Sequence, residues 1–490
     1  MTTASPIYPL MLTDGYKLDH RRMYPSGTTT VYSNWTNRGS RMPEVDKVVH
    51  FGLQATLQKY FVEIWEPFFA ADVDEIDNLY FNMVANYLGP DAAFSIGTQH
   101  VRDLHKLGYL PLRVCSMPEG TLIPIGVPSF TIENTVDEFF WLVNYVESVI
   151  SASYWHRSTS ATVALEYRKI LDAAAVRTGA STEAVDFQAH DFSFRGQTSV
   201  ESAEASGAGH LLSFSGTDSL PALDFIRRYY PGENGFVGGS IPATEHSVMC
   251  ARLQDGEQET FEHLLDLYPT GPLAVVSDTW DLWNVITKIL PALRDKILAR
   301  DGKLVIRPDS GDPEAILLGD KTAPYGSPAW FGVVELLADG FGRVENDEGF
   351  FELESHIGVI YGDAITLERA ESITNGLEKM GYASTTVVFG VGSYSYQGTT
   401  RDTFSSAIKA TYTEANGVPA NLQKDPITAN GSKKSATGRL AVLENDGEMV
   451  LFQKAKRQTE SISLLQPVWQ DGKALVTQSF ADVRLTLVEQ

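Results

Sequence analysis

Several short apolar runs of this chain end in residues that could bind a sugar phosphate. In KLVIRPDSGDP (303–313), Arg307 and Asp309 flank Pro308 and precede a Ser-Gly turn. An arginine offers forked donors to an anion, whereas a carboxylate only accepts hydrogen bonds and therefore suits a pair of sugar hydroxyls. The alternative is a surface turn whose charges are solvated.

Polar or glycine residues follow other apolar runs in the same way. They are Asp218, Glu245 with His246, Asp278, Asp363 and Gly390. Most of these positions are separated by roughly thirty residues, which is the length of one βα unit. Because the carboxyl ends of barrel strands meet on one face, these residues are predicted to share a single site.

The elements that would position these residues lie between about residues 181 and 400. Here apolar runs alternate with amphipathic helical stretches, a pattern that predicts parallel strands and crossover helices in an α/β barrel. The runs are HLLSFSG (210–216), LAVVSD (273–278), LVIRPDSG (304–311), IGVIYGD (357–363) and TTVVFGVGS (385–393). The longer interval at about 314–355 predicts an insertion between barrel units.

The two ends of the chain differ from this middle part. Residues 1–180 are mostly helical in pattern, whereas residues 401–490 contain a loop rich in Gly, Asn, Pro and Ser. Basic residues gather in and around that loop: Arg401, Lys409, Lys424, Lys433, Lys434 and Arg439. In an acidic chain they predict a local positive field, and solvated lysines are the alternative.

Composition limits the classes of function. The 490 residues predict two or three domains, and 43% hydrophobic with 21% charged residues is typical of a soluble globular protein. A net charge of -23 argues against nucleic-acid and anionic membrane partners. The two cysteines, Cys115 and Cys250, lack metal-ligand spacing, so we expect a reducing cytoplasm, and no signal peptide is recognised. The glycine-rich signatures GxGxxG and GxxxxGK[ST] are also missing.

A set of motifs, taken together and in order, resembles the nicotinamide phosphoribosyltransferases of the nicotinate phosphoribosyltransferase-like family. The motifs are LTDGYKLDHRRMYP (12–25), HDFSFRG (190–196), FSGTDSLPAL (214–223), SIPATEHS (240–247), VVSDTWD (275–281), IRPDSGDP (306–313), YGD (361–363), FGVGS (389–393), TRD (400–402) and KDP (424–426). The resemblance covers most of the chain. It implies the irregular α/β barrel of type II phosphoribosyltransferases, with a second α/β domain built from both chain ends.

The resemblance also implies a reaction. Nicotinamide and 5-phosphoribosyl 1-pyrophosphate would give nicotinamide mononucleotide and pyrophosphate, with Mg²⁺, in a homodimer whose active sites are shared between subunits. ATP would stimulate synthesis by phosphorylating His246, with Glu245 as the residue that orients the imidazole. A neutral histidine that binds pyrophosphate or fills the site is the alternative for His246. No covalent protein nucleophile is required, because positioning and electrostatics suffice.

The residues that match the family's base site are Phe192 and, from the other subunit, Tyr16, which would stack on the pyridine. Asp218 would accept a hydrogen bond from the carboxamide, and Arg195 and Arg307 would donate to phosphate or to the amide oxygen. Core packing is the alternative for either aromatic residue, and a helix N-cap is the alternative for Asp218.

The remaining matches concern the sugar phosphate. Asp309, Gly362 and Asp363 would hold the ribose, and Gly390, Gly392 and Ser393 the 5′-phosphate, although Val391 and Tyr394 depart from the family's glycine-richer loop. The pyrophosphate residues would be Arg38, Arg307, Arg401, Lys409 and Lys424, with Lys433 or Lys434 as further candidates. Mg²⁺ would bind substrate oxygens and water, with Asp278 and Asp309 in the second shell at most.

Three other functions remain open at this point. Nicotinate phosphoribosyltransferase has a similar barrel and the same donor. A barrel metallohydrolase could use His190, Asp191, His246, Asp278 and Asp309, although the chain lacks an HxH pair. A binding protein of the same fold without turnover is the third.

Overall fold

A computed structural model describes residues 5–232, 235–424 and 435–490. The chain forms two compact units. Unit 1 contains residues 1–159, 226–233 and 399–490, and unit 2 contains residues 160–225 and 234–398. In the described ranges, no helix has both the length and the apolar character that a membrane-spanning segment requires.

Unit 1 is built on a seven-stranded sheet that takes strands from both chain ends, as predicted for the second α/β domain. Its strands, in spatial order, are Val418–Asn421, Ala407–Ala415, Thr28–Thr36, Pro128–Asn134, Leu112–Ser116, Gln466–Gln470 and Lys473–Ala474. Two small antiparallel pairs accompany the sheet: Lys47–Val49 with Leu122–Pro124, and Leu440–Asn445 with Glu448–Gln453. The strands before residue 159 were not foreseen, because helices dominate the sequence pattern there.

Helices pack on this sheet around a core that includes Trp35, Phe61, Tyr154 and Trp469, all buried. The helices are Tyr8–Met11, Gly15–Asp19, His20–Met23, Leu53–Leu57, Gln58–Val62, Glu63–Trp65, Glu66–Ala70, Val73–Leu88, Pro90–Ile96, Gln99–Leu107, Asp137–Phe139, Leu142–Tyr145, Arg457–Glu460 and Phe480–Val488. The division between the units falls inside helix Glu147–Arg177, whereas the sequence placed it after residue 180. A helical sequence pattern does not show which turns of the helix pack into the core of unit 1 and which pack into the core of unit 2.

Unit 2 contains a parallel sheet of six strands. In spatial order they are Gly216–Thr217, Ala189–Asp191, Val387–Val391, Ile357–Tyr361, Leu304–Arg307 and Leu273–Val276. Four of the five predicted apolar runs supply strands of this sheet, which confirms the α/β class. All six strands run in the same direction, so their carboxyl ends lie along one edge.

The segment from Gly239 to Thr244 closes this sheet into a barrel. Gly239 pairs in parallel with Gly216 on one edge strand, and Ala243 pairs in parallel with Ala274 on the other. Backbone hydrogen bonds continue both contacts, from Thr217 N to Gly239 O at 2.9 Å and from Thr244 N to Ala274 O at 3.0 Å. The short, interrupted pairing is what makes the barrel irregular.

Helices and one hairpin surround the barrel of unit 2. The helices are Ala184–Phe187, Phe194–Gly196, Val200–His210, Leu220–Tyr229, His246–Cys250, Gln254–Gly256, Glu257–Leu267, Leu282–Asn284, Val285–Ile289, Leu290–Ala292, Arg294–Leu298, Pro313–Leu318, Pro328–Phe331, Val333–Phe341, Leu367–Met380, Ser384–Thr386 and Ser393–Gln397. The hairpin Arg343–Glu345 with Phe351–Leu353 and the helices Pro328–Phe331 and Val333–Phe341 lie within residues 314–355, the interval that the sequence predicts to be an insertion.

One predicted strand is wrong. Helix Val200–His210 includes the start of the run HLLSFSG, and only Gly216–Thr217 is a strand. Leu211, Leu212 and Phe214 are nevertheless buried. An apolar run in a sequence indicates that its residues are buried. It does not distinguish a buried strand from a buried turn that follows a helix.

Candidate functional site

A cavity of about 260 Å³ opens among the strands of unit 2. Its wall is mostly apolar and includes Ala274, Val305, Ile360 and Val388 from four of the strands. Four polar side chains also line the cavity: His190, Asp218, Ser240 and Arg307. An apolar cavity with a few convergent polar groups is the usual form of a small-molecule site.

Phe192 presents its ring to this cavity. The Arg307 guanidinium carbon lies 6.0 Å from the centroid of the ring. Gly390 lies against the ring, because a Cβ at this position would stand 2.6 Å from Phe192 Cδ2. Gly390 thus allows the strand to approach the aromatic ring closely, and a flat ligand could stack on Phe192.

The polar end of the cavity is formed by Asp218, His190 and Ser240. His190 Nε2 lies 3.0 Å from Asp218 Oδ1, and Ser240 Oγ lies 3.4 Å from the same ring nitrogen. Burial opposes ionisation of Asp218, but hydrogen bonds from His190 and Ser240 and the charge of Arg307 hold its pKa below the ordinary value. Asp218 is therefore a carboxylate acceptor at neutral pH.

The turn after strand Leu304–Arg307 is fixed by Asp278. Asp278 Oδ2 accepts hydrogen bonds from Asp309 N at 3.0 Å and from Ser310 Oγ. The hydroxyl of Tyr361 donates to Ser310 O at 2.9 Å, and Arg307 Nη2 donates to Thr244 O at 2.8 Å. The side chain of Arg307 and the backbone of Asp309 are thereby held at the carboxyl ends of the strands.

His246 lies beside Asp309. Its Nε2 is 3.5 Å from Asp309 Oδ2, and its Nδ1 is 3.2 Å from Thr279 Oγ1. Glu245, which we expected to orient the imidazole, instead accepts a hydrogen bond from Ser247. Adjacent residues at the start of helix His246–Cys250 point in different directions, so Asp309 and Thr279 contact the ring in its place.

Burial raises the pKa of Asp309 above the ordinary value. The carboxylates of Asp278 and Asp363 add to this upward shift. The charges of Arg307 and His246 oppose it. Three carboxylates therefore lie within electrostatic reach of one another. A group of acceptors this dense favours ligands with hydroxyl or cationic groups.

Gly362 and Asp363 belong to the next strand end, after Ile357–Tyr361. Gly362 N donates to Pro308 O at 3.1 Å, which joins this loop to the Arg307–Asp309 turn. Ala364 has a φ of 58°, in the left-handed region that residues other than glycine rarely adopt. Arg369 Nη1 donates a hydrogen bond of 2.6 Å to the carbonyl oxygen of Ala364. Backbone strain of this kind is concentrated at functional loops.

Gly390, Gly392 and Ser393 lead from strand Val387–Val391 into helix Ser393–Gln397. The turn Phe194–Gly196, which carries Arg195, packs against this helix. Arg195 is exposed. The structure thus brings an exposed guanidinium and the glycine loop to the same part of unit 2.

Unit 1 holds a separate group of basic side chains, Arg38, Arg401, Lys409 and Lys424. Burial lowers the pKa of Lys409, Glu147 opposes the shift, and the charges of Arg38, Arg401 and Lys424 add to it. Arg38 Nε donates to Ser405 O at 3.1 Å. Lys433 and Lys434, the further candidates, lie outside the described residues. The four cations are close enough to repel one another, which favours binding of an anion.

Tyr16 also lies in unit 1, on the short helix Gly15–Asp19. Its side chain is exposed, and its ring centroid is 5.1 Å from that of His20. The neighbouring Lys17 is buried and pairs with Glu147 at 3.0 Å. A fixed loop therefore presents an exposed aromatic ring.

The sequence did not single out several residues that complete the site in unit 2. They are Ser240, Thr244 and Thr279, together with His190, which was considered only as a metal ligand. Within the described residues, no group of three or more His, Cys, Asp and Glu side chains is arranged to hold a metal ion. His190 contacts Asp218 instead, and Asp191 Oδ1 accepts from Ser193 N at 2.9 Å.

The chain belongs to the nicotinate phosphoribosyltransferase family, whose model matches residues 187–473. Residues 9–114 match the N-terminal domain of nicotinamide phosphoribosyltransferase. These two matches cover the barrel, the C-terminal strands and most of the N-terminal part of unit 1.

Relatives named nicotinamide phosphoribosyltransferase match over nearly the whole chain. The protein from Acinetobacter baylyi is 45% identical over 99% of this chain and 98% of its own. The one from Mycoplasma pneumoniae is 36% identical over 88% of this chain and 94% of its own. Crystal structures of a nicotinate-nucleotide pyrophosphorylase from Pyrococcus furiosus (TM-score 0.57, 100% and 97% coverage) and of human nicotinic acid phosphoribosyltransferase (0.55, 97% and 93%) share the fold at 14% identity.

Proposed function

We propose that this protein is a nicotinamide phosphoribosyltransferase, which converts nicotinamide and 5-phosphoribosyl 1-pyrophosphate into nicotinamide mononucleotide and pyrophosphate for the salvage of NAD. The observation that carries the proposal is Asp218, which lies beside His190 at the polar end of an apolar cavity that Phe192 lines. The full-length relatives of the same name support it.

The choice of the amide over the acid rests on Asp218. A carboxamide N–H donates to this carboxylate, whereas nicotinate would place a second negative charge beside it. At 4 Å and an effective dielectric constant near 20, that repulsion is about 4 kcal/mol, or roughly a thousandfold in relative efficiency. Nicotinate phosphoribosyltransferase activity is therefore the less favoured interpretation of this site.

In the transfer step, the ring nitrogen of nicotinamide bonds to C1 of the ribose as the bond from C1 to the pyrophosphate oxygen breaks. Pyrophosphate leaves with that electron pair, and positive charge develops on the sugar. Asp309 and Asp363 accept hydrogen bonds from the ribose hydroxyls, and their charge also stabilises the developing cation. Gly390, Gly392 and Ser393 receive the 5′-phosphate with Arg195 or Arg307 nearby.

The leaving pyrophosphate would bind Arg38, Arg401, Lys409 and Lys424. Mg²⁺ fits the carboxylates of unit 2, because Asp278 Oδ1 is buried without a hydrogen-bond partner in the described part of the chain. Asp278 and Asp309 would hold water of the ion's hydration shell. The ion, when bound, would neutralise charge on the pyrophosphate.

ATP is the proposed co-substrate. An imidazole nitrogen of His246, whose side chain is 47% exposed, would bond to the γ-phosphorus as the bond to ADP breaks. Asp309 beside Nε2 and Thr279 beside Nδ1 would hold the ring for this transfer. The phosphorylated ring would persist until its phosphoryl group is transferred to water.

A homodimer is part of the proposal, because Tyr16 would supply its exposed ring to the pyridine in the partner's site. We expect the enzyme to act in the cytoplasm.

The direct test is incubation of the purified chain with nicotinamide, phosphoribosyl pyrophosphate and Mg²⁺. We expect nicotinamide mononucleotide and pyrophosphate in equal amounts, and more product when ATP is added. Binding of both substrates without product would favour the inactive binding protein. Release of phosphate from other esters, lost on chelation and restored by Zn²⁺ but not by Mg²⁺, would favour the metallohydrolase.

A further inference from the structure

We infer that His190 is a positioning residue for base selection, which donates from Nε2 to Asp218 and so orients the carboxylate toward the substrate. The inference rests on the proposed role of Asp218. It assigns a function to a histidine that lies on a barrel strand and lines the cavity.

The position of His190 in the barrel restricts the movement of its contact with Asp218. The residue lies on strand Ala189–Asp191, which has a neighbouring strand on each side, and is 9% exposed. Its backbone is in register with Gly216 on one side and Gly390 on the other. A side chain on a strand that pairs on both edges has little freedom to move, so its ring is a rigid support.

Besides Asp218 and Ser240, the ring of His190 has neighbours on its other side that fix its orientation. A Cβ at position 216 would stand 2.6 Å from Nδ1, so Gly216 leaves the space that this edge of the ring occupies. The ring centroid is 4.8 Å from that of Phe192. His190 therefore touches both the aromatic and the acidic residue of the proposed base site.

This geometry places one oxygen of Asp218 against His190. Oδ1 is 3.0 Å from His190 Nε2, whereas the Asp218 side chain as a whole is 45% exposed. Without this donor only Ser240 would remain to restrain the last torsion of the carboxylate, which could then present either oxygen. The hydrogen bond therefore selects an orientation for the acceptor before the substrate arrives.

Steady-state kinetics of the purified full-length chain test the inference. We would compare the wild type with His190→Leu, which removes the donor, and His190→Gln, whose side-chain amide places a donor near the position of Nε2. In His190→Leu we expect KM for nicotinamide to rise about tenfold while kcat changes little, because a lost hydrogen bond to a charged group weakens ground-state and transition-state binding alike. His190→Gln should restore most of the lost affinity.

The double variant His190→Leu/Asp218→Asn distinguishes this role from a general effect on the barrel. If His190 acts through Asp218, the leucine substitution should add little once the carboxylate is gone. Additive losses in the double variant would overturn the inference. So would an unchanged KM in His190→Leu, or a His190→Gln variant as impaired as His190→Leu.

His190→Asn provides a second route if the leucine variant does not fold. Its amide is too short to reach Asp218, so it should show the same rise in KM, and a KM equal to that of the wild type would overturn the inference. The proposed function is judged separately, on wild-type product formation and on Asp218→Asn. If the wild type makes the product and Asp218→Asn loses base selection while the His190 variants keep it, only the inference about His190 fails.

Discussion

The barrel site of unit 2 and the basic group of unit 1 hold their functional side chains in different ways. In unit 2, Asp218, Arg307 and the Asp309 turn each have specific hydrogen-bond partners. In unit 1, Arg38 donates to Ser405 O, but Arg38, Arg401 and Lys424 are related to Lys409 only by charge, which adds to burial in lowering the pKa of that lysine. The barrel is preorganised for one geometry of base and ribose, whereas the basic group is suited to a charge that arrives with the substrate.

Asp218→Asn should give the largest change. Loss of the charge removes the repulsion toward nicotinate, so the ratio of kcat/KM for nicotinate to that for nicotinamide should rise by up to about a thousandfold. Competition between the two bases measures this ratio. Asp224→Asn, on the exposed face of helix Leu220–Tyr229, is the matched control and should leave the ratio unchanged. Equal ratios in wild type and Asp218→Asn would remove Asp218 from base selection.

Asp309→Asn should lower kcat/KM for phosphoribosyl pyrophosphate by about a hundredfold, because a charged acceptor of the ribose hydroxyls is lost near the developing positive charge. The control is Asp301→Asn, since Asp301 is exposed and precedes the opposite end of the same strand. A comparable loss in Asp301→Asn would show that the effect is structural.

Lys409 tests the basic group of unit 1. Lys409→Gln should raise KM for phosphoribosyl pyrophosphate about tenfold, with a smaller effect at high salt, because salt screens the attraction between the half-buried lysine and the anionic substrate. The control is Lys106→Gln, on the exposed face of helix Gln99–Leu107. A loss that does not depend on salt would contradict an electrostatic role.

The lowered pKa of Lys409 also predicts a pH dependence. The lysine is charged below its folded-state pKa, so substrate affinity should fall as the pH rises through that value. Lys409→Arg should keep its charge at higher pH, and the fall should move upward in a titration of KM against pH. The same pH profile in both proteins would assign the titration to another group.

His246→Ala should have the smallest effect on the basal reaction. We expect stimulation by ATP to disappear while synthesis without ATP changes by about threefold or less, because the ring does not bond to the sugar. Transfer of ³²P from γ-labelled ATP to protein measures the step, and His263→Ala, an exposed histidine of helix Glu257–Leu267, is the control. Label retained by His246→Ala would contradict the phosphohistidine.

The sequence predicted the strand ends of unit 2 better than the contacts between them. Arg307, Asp309 and Asp363 follow apolar runs at regular intervals, and this periodicity is readable because each βα unit repeats the same local pattern. The closing segment from Gly239 to Thr244 has no such run and pairs only through isolated bridges. Its position depends on partners distant in sequence.

Local sequence patterns also could not predict which side chains contact each other across the barrel. Glu245 is adjacent to His246 in sequence, yet the ring lies against Asp309 and Thr279, which belong to two other strand ends. The contact between His190 and Asp218 likewise joins two neighbouring strands. Such pairs follow from strand order, which a single sequence does not specify.

The most direct measurement is a competition in which the wild-type protein receives equal concentrations of nicotinamide and nicotinate with limiting phosphoribosyl pyrophosphate and Mg²⁺. Chromatography of the products gives the ratio of the two mononucleotides, which equals the ratio of kcat/KM values. An ionised Asp218 predicts that nicotinamide mononucleotide is in large excess. A mixture dominated by nicotinate mononucleotide, or an even one, would contradict the proposed selection of the amide.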